Sequence, residues 1–285
     1  MKLTDSSAAE VGTSDVKAIT SETASFRQFM CYQAITLTQA ISGATGIIKN
    51  GIGGLTLDGV CNYTGPTEIN GGQIVLRGSS SALNGVISGT GVLTKTGATT
   101  LTLGASNTYS GGTIWNEGTI TYNSSNAFGT GTFVSAIGGT LQSAGTPTLP
   151  NDFVLTSGTL QFRTLGANTI TVSGNISGAG NLTKAGNGFL NLYGTLTYTG
   201  FTNIQAGFIR VKKTVGASTA TAQFQSGGFP ASVSFDVAPP SGVTAFRFFQ
   251  GVTNQTYASV TLIGVPVGTT ATYTSATSTL SVTVP

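Results

Sequence analysis

Carboxylates are the side chains with which this sequence could do acid–base chemistry, and they are few. The 285 residues include nine acidic residues, four of them within the first 22 positions. The other five are Asp58, Glu68, Glu117, Asp152 and Asp236. Glycoside hydrolysis needs two carboxyl groups on either side of one bond. Acids spread this thinly predict no such pair, so we expect no catalytic residue and no enzyme.

The residues needed for nucleophilic catalysis and for metal binding are equally scarce. Histidine is absent, which removes Ser-His-Asp and Cys-His catalysis and the commonest metal ligand. The two cysteines, Cys31 and Cys61, lack the spacing of a metal site. Two buried or free thiols are the prediction, and a disulfide between them is the alternative. We expect no metal ion and no cofactor.

The charge pattern bears on partners. Charged residues make up 7% of the chain, against about 25% in an average soluble domain. The net charge is +3, with no basic cluster beyond Lys212-Lys213, whereas a nucleic-acid partner needs a concentrated basic face. No stretch approaches the ~18 apolar residues of a membrane-spanning helix. Nucleic-acid binding and membrane insertion are therefore not expected.

A repeat organises the chain around Ile87–Tyr122. Three copies begin with Ile-Ser-Gly and then share a lysine, a leucine six residues later, a tyrosine at fourteen and a glycine at sixteen. These shared positions are Lys49, Lys95 and Lys184; Leu55, Leu101 and Leu190; Tyr63, Tyr109 and Tyr198; Gly65, Gly111 and Gly200. The lysines are 46 and 89 positions apart, which predicts a degenerate unit near residues 124–172.

Within each copy, apolar residues alternate with Thr, Ser and Asn, as in Leu101-Thr102-Leu103. Alternation predicts short strands with one buried face, and glycines predict corners because glycine accepts positive φ. The sequence therefore predicts an all-β, parallel β-solenoid with two coils of roughly 22 residues per unit. The repeated lysine is expected to face solvent at a strand end, and the tyrosine to pack over a corner. An up-and-down antiparallel sandwich is the alternative.

Three regions follow from where the repeat begins and ends. Residues 1–34 are expected to be an N-terminal cap or anchor, with a short helix over Val16–Tyr32 that places Phe26, Phe29 and Met30 on one face. Residues 35–213 form the solenoid. Residues 214–285 begin with a loop-like link (217–232), continue with five short strands, and form either terminal coils or a small β-sandwich cap. The aromatic cluster of this cap is expected to be core, with an exposed binding patch as the alternative; it comprises Phe235, Phe246, Phe248 and Phe249.

The repeat resembles the passenger-associated repeat of bacterial autotransporters, G-x-L-x-K-x-G-x-x-x-L-x-L-x-G-x-N-x-Y-x-G-x-T. The second copy matches at Gly91, Leu93, Lys95, Gly97, Leu101, Leu103, Asn107, Tyr109, Gly111 and Thr113. The third copy matches at nine of these places and has Leu196 where the family has asparagine. The resemblance covers roughly residues 41–213. It implies a right-handed parallel β-helix displayed at a surface, and it implies no particular ligand.

Two departures from that family shape the functional expectation. The start Met-Lys-Leu is not followed by the apolar segment of a secretory signal, and no amphipathic barrel segment ends the chain. We therefore expect a non-enzymatic structural protein of a phage or virus particle (capsid decoration, fibre or spike), located in the virion and docked to other virion proteins by its N-terminus. A homo-oligomer, preferably a trimer, and a host-surface glycan are the other expected partners. The alternative is an autotransporter-type adhesin passenger fragment at a bacterial surface. Local function is expected where the repeat fails, at 1–34, at 124–172 and in the aromatic C-terminal segment.

Overall fold

A computed structural model describes the backbone of residues 2–4, 26–200, 202–215, 218–225, 231–235, 242–247, 260–263, 270–274 and 279–284. Side chains are described for 27–200, 202–210 and 270. These residues form strands, turns and bends, and no helix lies among them. They divide into two units, Met1–Gln142 with Pro150–Asp152 and Ser143–Leu149 with Phe153–Pro285.

The first unit consists of short strands. In chain order they are β1 Lys2–Thr4, β2 Phe26–Met30, β3 Ile35–Leu37, β4 Ile41–Gly43, β5 Gly46–Asn50, β6 Gly54–Leu57, β7 Cys61–Tyr63, β8 Thr67–Ile69, β9 Gln73–Leu76, β10 Ser81–Leu83, β11 Ile87–Ser88, β12 Val92–Lys95, β13 Thr100–Leu103, β14 Thr113–Trp115, β15 Thr119–Tyr122, β16 Phe133–Ser135 and β17 Gly138–Ser143.

Parallel pairing stacks these strands into three series. One series runs β2-β5-β8-β11, with β1 antiparallel to β2 at its edge. The second runs β3-β6-β9-β12-β14-β16. The third contains β4-β7 and β10-β13-β15-β17. The chain visits the three series in turn up to β13 and then alternates between the third and the second. Since every repeated pairing is parallel, this unit is a parallel β-solenoid, and the sandwich alternative is wrong.

The register of the strands gives the length of one coil. Ile47 pairs with Thr67, and Leu55 pairs with Ile74, so the chain returns to the same series after about twenty positions. The expected coil of roughly 22 residues is therefore too long for these coils, although it matches the return from Thr159 to Asn181 in the second unit. The first two lysines are 46 positions apart, which is two such coils plus about one strand and its turn. Lys49 therefore lies on β5 and Lys95 on β12, in different series. Equivalent residues of the first two copies therefore do not stack on one another.

Inward-facing apolar side chains fill the coils. The shared leucines Leu55 and Leu101 are buried, and Leu101 stacks on Ile120 one coil along. Larger rings pack toward the later coils of this unit, where Phe128 lies edge-on against Phe133 at 4.8 Å between ring centroids. Alternating burial on each strand, such as that of β13 and β15, gives the period-two pattern read from the sequence.

The N-terminal expectation needs one correction. Phe26–Met30 is a strand that pairs in parallel with β5, so the helix expected over Val16–Tyr32 is wrong for these residues. Five consecutive residues of this segment find backbone partners on a neighbouring strand, which a helix would not provide. Residues 5–25 lie outside the described part of the chain. The boundaries expected at 34/35 and 213/214 stay predictions.

The second unit continues with strands of the same kind. They are β18 Thr148–Leu149, β19 Phe153–Leu155, β20 Thr159–Thr164, β21 Thr169–Val172, β22 Ile176–Gly178, β23 Asn181–Ala185, β24 Phe189–Leu192, β25 Thr202–Ile204, β26 Phe208–Val215, β27 Ser218–Gln225, β28 Ala231–Phe235, β29 Gly242–Arg247, β30 Val260–Ile263, β31 Thr270–Thr274 and β32 Thr279–Val284.

This unit is also a parallel solenoid up to β26. Its series are β19-β22, β20-β23-β25 and β18-β21-β24-β26. Four of these strands, β18 to β21, come from the segment expected to be a degenerate unit. Antiparallel pairing starts with β26-β27 and continues in the β29-β32-β31 sheet.

Of the expectations for the C-terminal region, the five strands are confirmed and the loop-like link is partly wrong. The five strands predicted after the link are present as β28 to β32. The loop-like link is wrong for Ser218–Gln225, which is strand β27 and pairs with β26. The side chains of Phe235, Phe246, Phe248 and Phe249 lie outside the described residues.

Candidate functional site

The repeated lysines are buried, contrary to the expectation that they face solvent. Lys49 and Lys184 are 0% exposed and Lys95 is 2% exposed. Each follows an inward-facing apolar residue by two positions, as Lys95 follows Leu93. Alternation along the strand therefore directs the lysine inward as well. A buried ammonium needs hydrogen-bond acceptors, and the turn that follows each lysine supplies them.

Every lysine Nζ donates to the carbonyl oxygens of the next two residues. The distances are 3.1 and 2.8 Å for Lys49, 2.5 and 2.6 Å for Lys95, and 2.7 and 2.6 Å for Lys184. The second of these residues is always a glycine with positive φ, between 76° and 80°, a conformation that L side chains rarely adopt. We call each such arrangement a lysine clamp; the three are Lys49-Asn50-Gly51, Lys95-Thr96-Gly97 and Lys184-Ala185-Gly186.

The clamps also reach the following coil, at the position 22 places after each lysine. Lys49 donates to the carbonyl of Gly71 at 2.8 Å, and Lys184 lies 3.4 Å from that of Ala206. At the equivalent place in the second copy stands Glu117, which accepts a hydrogen bond from the Gly97 amide at 3.1 Å. In the first and third clamps, the lysine side chain therefore contacts carbonyls of its own turn and of the following coil. In the second clamp, Lys95 contacts its own turn, and the Glu117 carboxylate makes the hydrogen bond between the two coils.

Burial sets the protonation of the clamps. Desolvation lowers the pKa of all three lysines, and for Lys184 it lowers the pKa to about 8. The carboxylate of Glu117 acts in the opposite direction on the pKa of Lys95. Because a pKa near 8 still lies above neutral pH, Lys184 is charged there and its ammonium acts as a fixed internal cation.

The shared tyrosines and glycines have structural roles as well. Each tyrosine is buried and forms a hydroxyl–hydroxyl hydrogen bond with the threonine four residues later: Tyr63 with Thr67, Tyr109 with Thr113 and Tyr198 with Thr202. Gly65, Gly111 and Gly200 have no positive φ. A Cβ on any of them would lie 2.2–2.4 Å from backbone of the preceding coil. At these three positions glycine is required by close coil stacking, and the positive-φ explanation was wrong.

Among the groups considered first for chemistry, Asp58 has a structural partner and the two cysteines are buried. Asp58 forms an ion pair with Arg77 at 2.8 Å, which holds the pKa of its carboxyl below the usual value. Cys31 and Cys61 are free and buried, as predicted, and burial raises the pKa of Cys61 to about 11. In the described part of the chain, no three His, Cys, Asp or Glu residues come together as metal ligands. No helix among these residues could cross a membrane.

An open depression of about 500 Å³ lies over the third clamp, in the second unit. Its floor includes Ala185, Gly186 and Ala206, whose carbonyls turn inward toward the Lys184 ammonium. Gln161, Arg163 and Gln205 line it as well, and the Gln161 amide donates to the Gln205 side-chain oxygen at 3.1 Å. These polar residues were not singled out in the sequence, although 161 and 163 fall within the irregular segment where local function was expected.

Fold and site together define the class of protein: a repeat scaffold whose coils are fastened from inside and which carries a polar depression on its surface. Three of its segments, residues 47–76, 93–121 and 182–211, match the family described as Passenger-associated-transport-repeat. Each segment contains one lysine clamp. These three segments are therefore similar to the repeats of this family, as the sequence resemblance implied.

One curated relative is the Adhesin BmaC autotransporter of Brucella suis biovar 1 (strain 1330). It is 29% identical over an alignment of 193 residues, and the match covers 59% of this chain and 6% of the relative. The chain thus spans a small part of the length of the relative that it matches. No solved structure matches the chain.

Proposed function

We propose that this chain is a segment of an autotransporter-type passenger that is displayed at a bacterial surface and takes part in adhesion. The observation that carries the proposal is the coincidence of the three lysine clamps with the three passenger-repeat segments. The similarity to an autotransporter adhesin supports the same proposal. The solenoid is the framework, and adhesion belongs to side chains on its outer surface.

The physical properties of the coils suit this role. The clamps hold turns together without a disulfide and without a metal, so these turns do not depend on the redox state of their surroundings. Thr, Ser and Asn on the outward strand positions keep the surface polar at a low charge density. A solenoid with such a surface extends by adding coils, because each coil contacts only its neighbours.

The comparisons support the adhesin alternative and give no support to the virion hypothesis. The proposed location is accordingly the cell surface or the extracellular space. Assembly into a homo-oligomer, with a trimer preferred, and docking through residues 1–34 stay predictions.

Surface display is tested with an antibody raised against the 285-residue chain. In the source cells we expect labelling before permeabilisation and loss of the epitope after brief protease treatment of intact cells. A cytoplasmic protein probed in parallel checks that the cells stay closed. Deleting the coding segment should lower attachment to host cells and to matrix-coated surfaces. Labelling only after permeabilisation, or recovery of the chain in purified phage particles, would overturn the proposal.

A further inference from the structure

The depression over the third clamp has a surplus of positive charge. Among the described side chains of the second unit, the charged residues are Arg163, Lys184 and Arg210, and none carries a carboxylate. In the sequence, no Asp or Glu lies between Asp152 and Asp236. Since no described side chain of this unit carries a negative charge, an anion entering the depression meets a favourable field.

Arg163 is the residue of this group that a ligand can reach directly. Its side chain is exposed and lines the depression, and its guanidinium forms no hydrogen bond or ion pair with the part of the chain that the structure describes. A guanidinium presents a planar set of donors that binds a carboxylate through two parallel hydrogen bonds. The position therefore suits a carboxylated ligand.

The rest of the lining suits hydroxyl groups. Gln161, Gln205 and Asn187 bring three carboxamides to the depression, each with donor and acceptor capacity. The hydrogen bond between Gln161 and Gln205 joins positions 44 apart in the chain and holds the two amides in place. Leu165, Ala185 and Ala206 add small apolar surface, against which the C–H face of a sugar ring can pack.

From this lining we infer that the depression binds an acidic saccharide, with Arg163 on its carboxylate and the carboxamides of Gln161 and Gln205 on its hydroxyls. The inference rests on the proposed function and names a ligand class for it. A volume of about 500 Å³ lies within the ~300–1,000 Å³ range of small-ligand sites. An acidic peptide is the less suitable ligand, because acidic motifs are recognised by clusters of arginines and Arg163 is the one arginine among the residues that line this depression.

Two disaccharides that differ in one carboxylate provide the test. Cellobiouronic acid carries the carboxylate and cellobiose lacks it. Amide resonances of the full chain are followed by NMR during titration with each. We expect saturable shifts at Gly166, Gly186 and Ala206 with cellobiouronic acid, at a roughly millimolar Kd typical of few contacts, and at least fivefold weaker binding of cellobiose. Raising the salt concentration should weaken the first and leave the second unchanged.

Two variants with the same loss of charge complete the design. Arg163→Gln should remove the preference for the carboxylated disaccharide, while Arg77→Gln, which removes a guanidinium in the first unit, should keep it. Equal binding of both disaccharides, no shifts with either, or an unchanged preference in Arg163→Gln overturns the inference. Shifts produced by tetraglutamate but not by cellobiouronic acid would identify an acidic peptide instead. If surface labelling succeeds while these titrations fail, the proposed function stands and this inference falls.

Discussion

The phenol oxygen of Tyr109 lies 2.6 Å from the hydroxyl oxygen of Thr113, four residues later, and both side chains are buried. The same pair is formed by Tyr63 and Thr67 at 2.7 Å, although it stands in a different strand series. Burial raises the pKa of both tyrosines. The repeat thus retains a local turn with its own internal hydrogen bonds, and this turn works equally well on different faces of a coil.

Tyr109→Phe removes one partner of this hydrogen bond and should lower the free energy of unfolding by about 1–2 kcal/mol, because Thr113 loses its short buried contact. Thr113 retains only a 3.5 Å contact with the Phe128 carbonyl. Urea unfolding followed by circular dichroism measures the change. Tyr32→Phe, at a side chain that is 71% exposed, is the control and should change little. Similar effects of the two substitutions would refute the role of the pair.

Lys49→Met keeps an unbranched stem of four heavy atoms and removes the ammonium of the first clamp. Carbonyls of Asn50, Gly51 and Gly71 then lose their donor, and we expect a loss of roughly 2–5 kcal/mol in unfolding free energy. Arg77→Met, which breaks a surface ion pair, is the matched control and should change the unfolding free energy far less, because solvent screens an exposed pair. An equally stable Lys49→Met chain would contradict this expectation and would mean that the desolvation cost of the ammonium offsets its three hydrogen bonds in full.

Lys184 makes stability depend on pH in a predictable direction. Its pKa is about 8 when folded, against 10.5 for an ordinary lysine. Between these values the unfolded chain holds more protons than the folded chain, so the free energy of unfolding contributed by this group rises with pH. Below pH 8 the lysine is charged in both states, and the cost of burying its charge is constant.

We compare the unfolding free energies of wild type and Lys184→Met. The value for wild type minus that for the variant should increase from pH 7.5 to pH 9.5. Urea titrations at three pH values measure it. Using the difference cancels opposing contributions from Cys61, whose pKa burial raises to about 11, and from the buried tyrosines. A difference that is constant or shrinks with pH would contradict the depressed pKa of Lys184.

Gly111 and Gly166 allow two structural requirements for glycine to be tested separately: close contact between coils and a positive φ. At Gly111 a Cβ would lie 2.4 Å from the Gly91 carbonyl oxygen, without positive φ; at Gly166 the φ is 66° and nothing lies within 4 Å. Gly166→Ala should cost about 1–2 kcal/mol from backbone strain alone. Gly111→Ala must push two coils apart and should cost roughly 3 kcal/mol or more. Thermal and urea unfolding of both variants measure this, and a reversed order would show that coil spacing is soft.

Much of the fold was predictable from local pattern. Alternation at residues such as Leu101 and Leu103, with glycine between strands, predicted strands, and the tandem copies predicted that coils stack. The lysines were misplaced because a charge was given more weight than alternation. Lys49 and Lys95 stand two positions after Ile47 and Leu93, so the same rule that placed those residues inside also placed the lysines inside.

By itself the sequence determined the local units: short strands, glycine turns, tyrosine–threonine pairs and the segments that match passenger repeats. Each of these depends on residues within about thirty positions of one another. Only the tertiary structure decided which residues stack, because the coil length set by pairs such as Ile47 with Thr67 does not divide evenly into the spacing of Lys49 and Lys95. It also decided the site, since closure of the coils brings Gln161 to Gln205 across 44 positions and places Arg163 in the same depression.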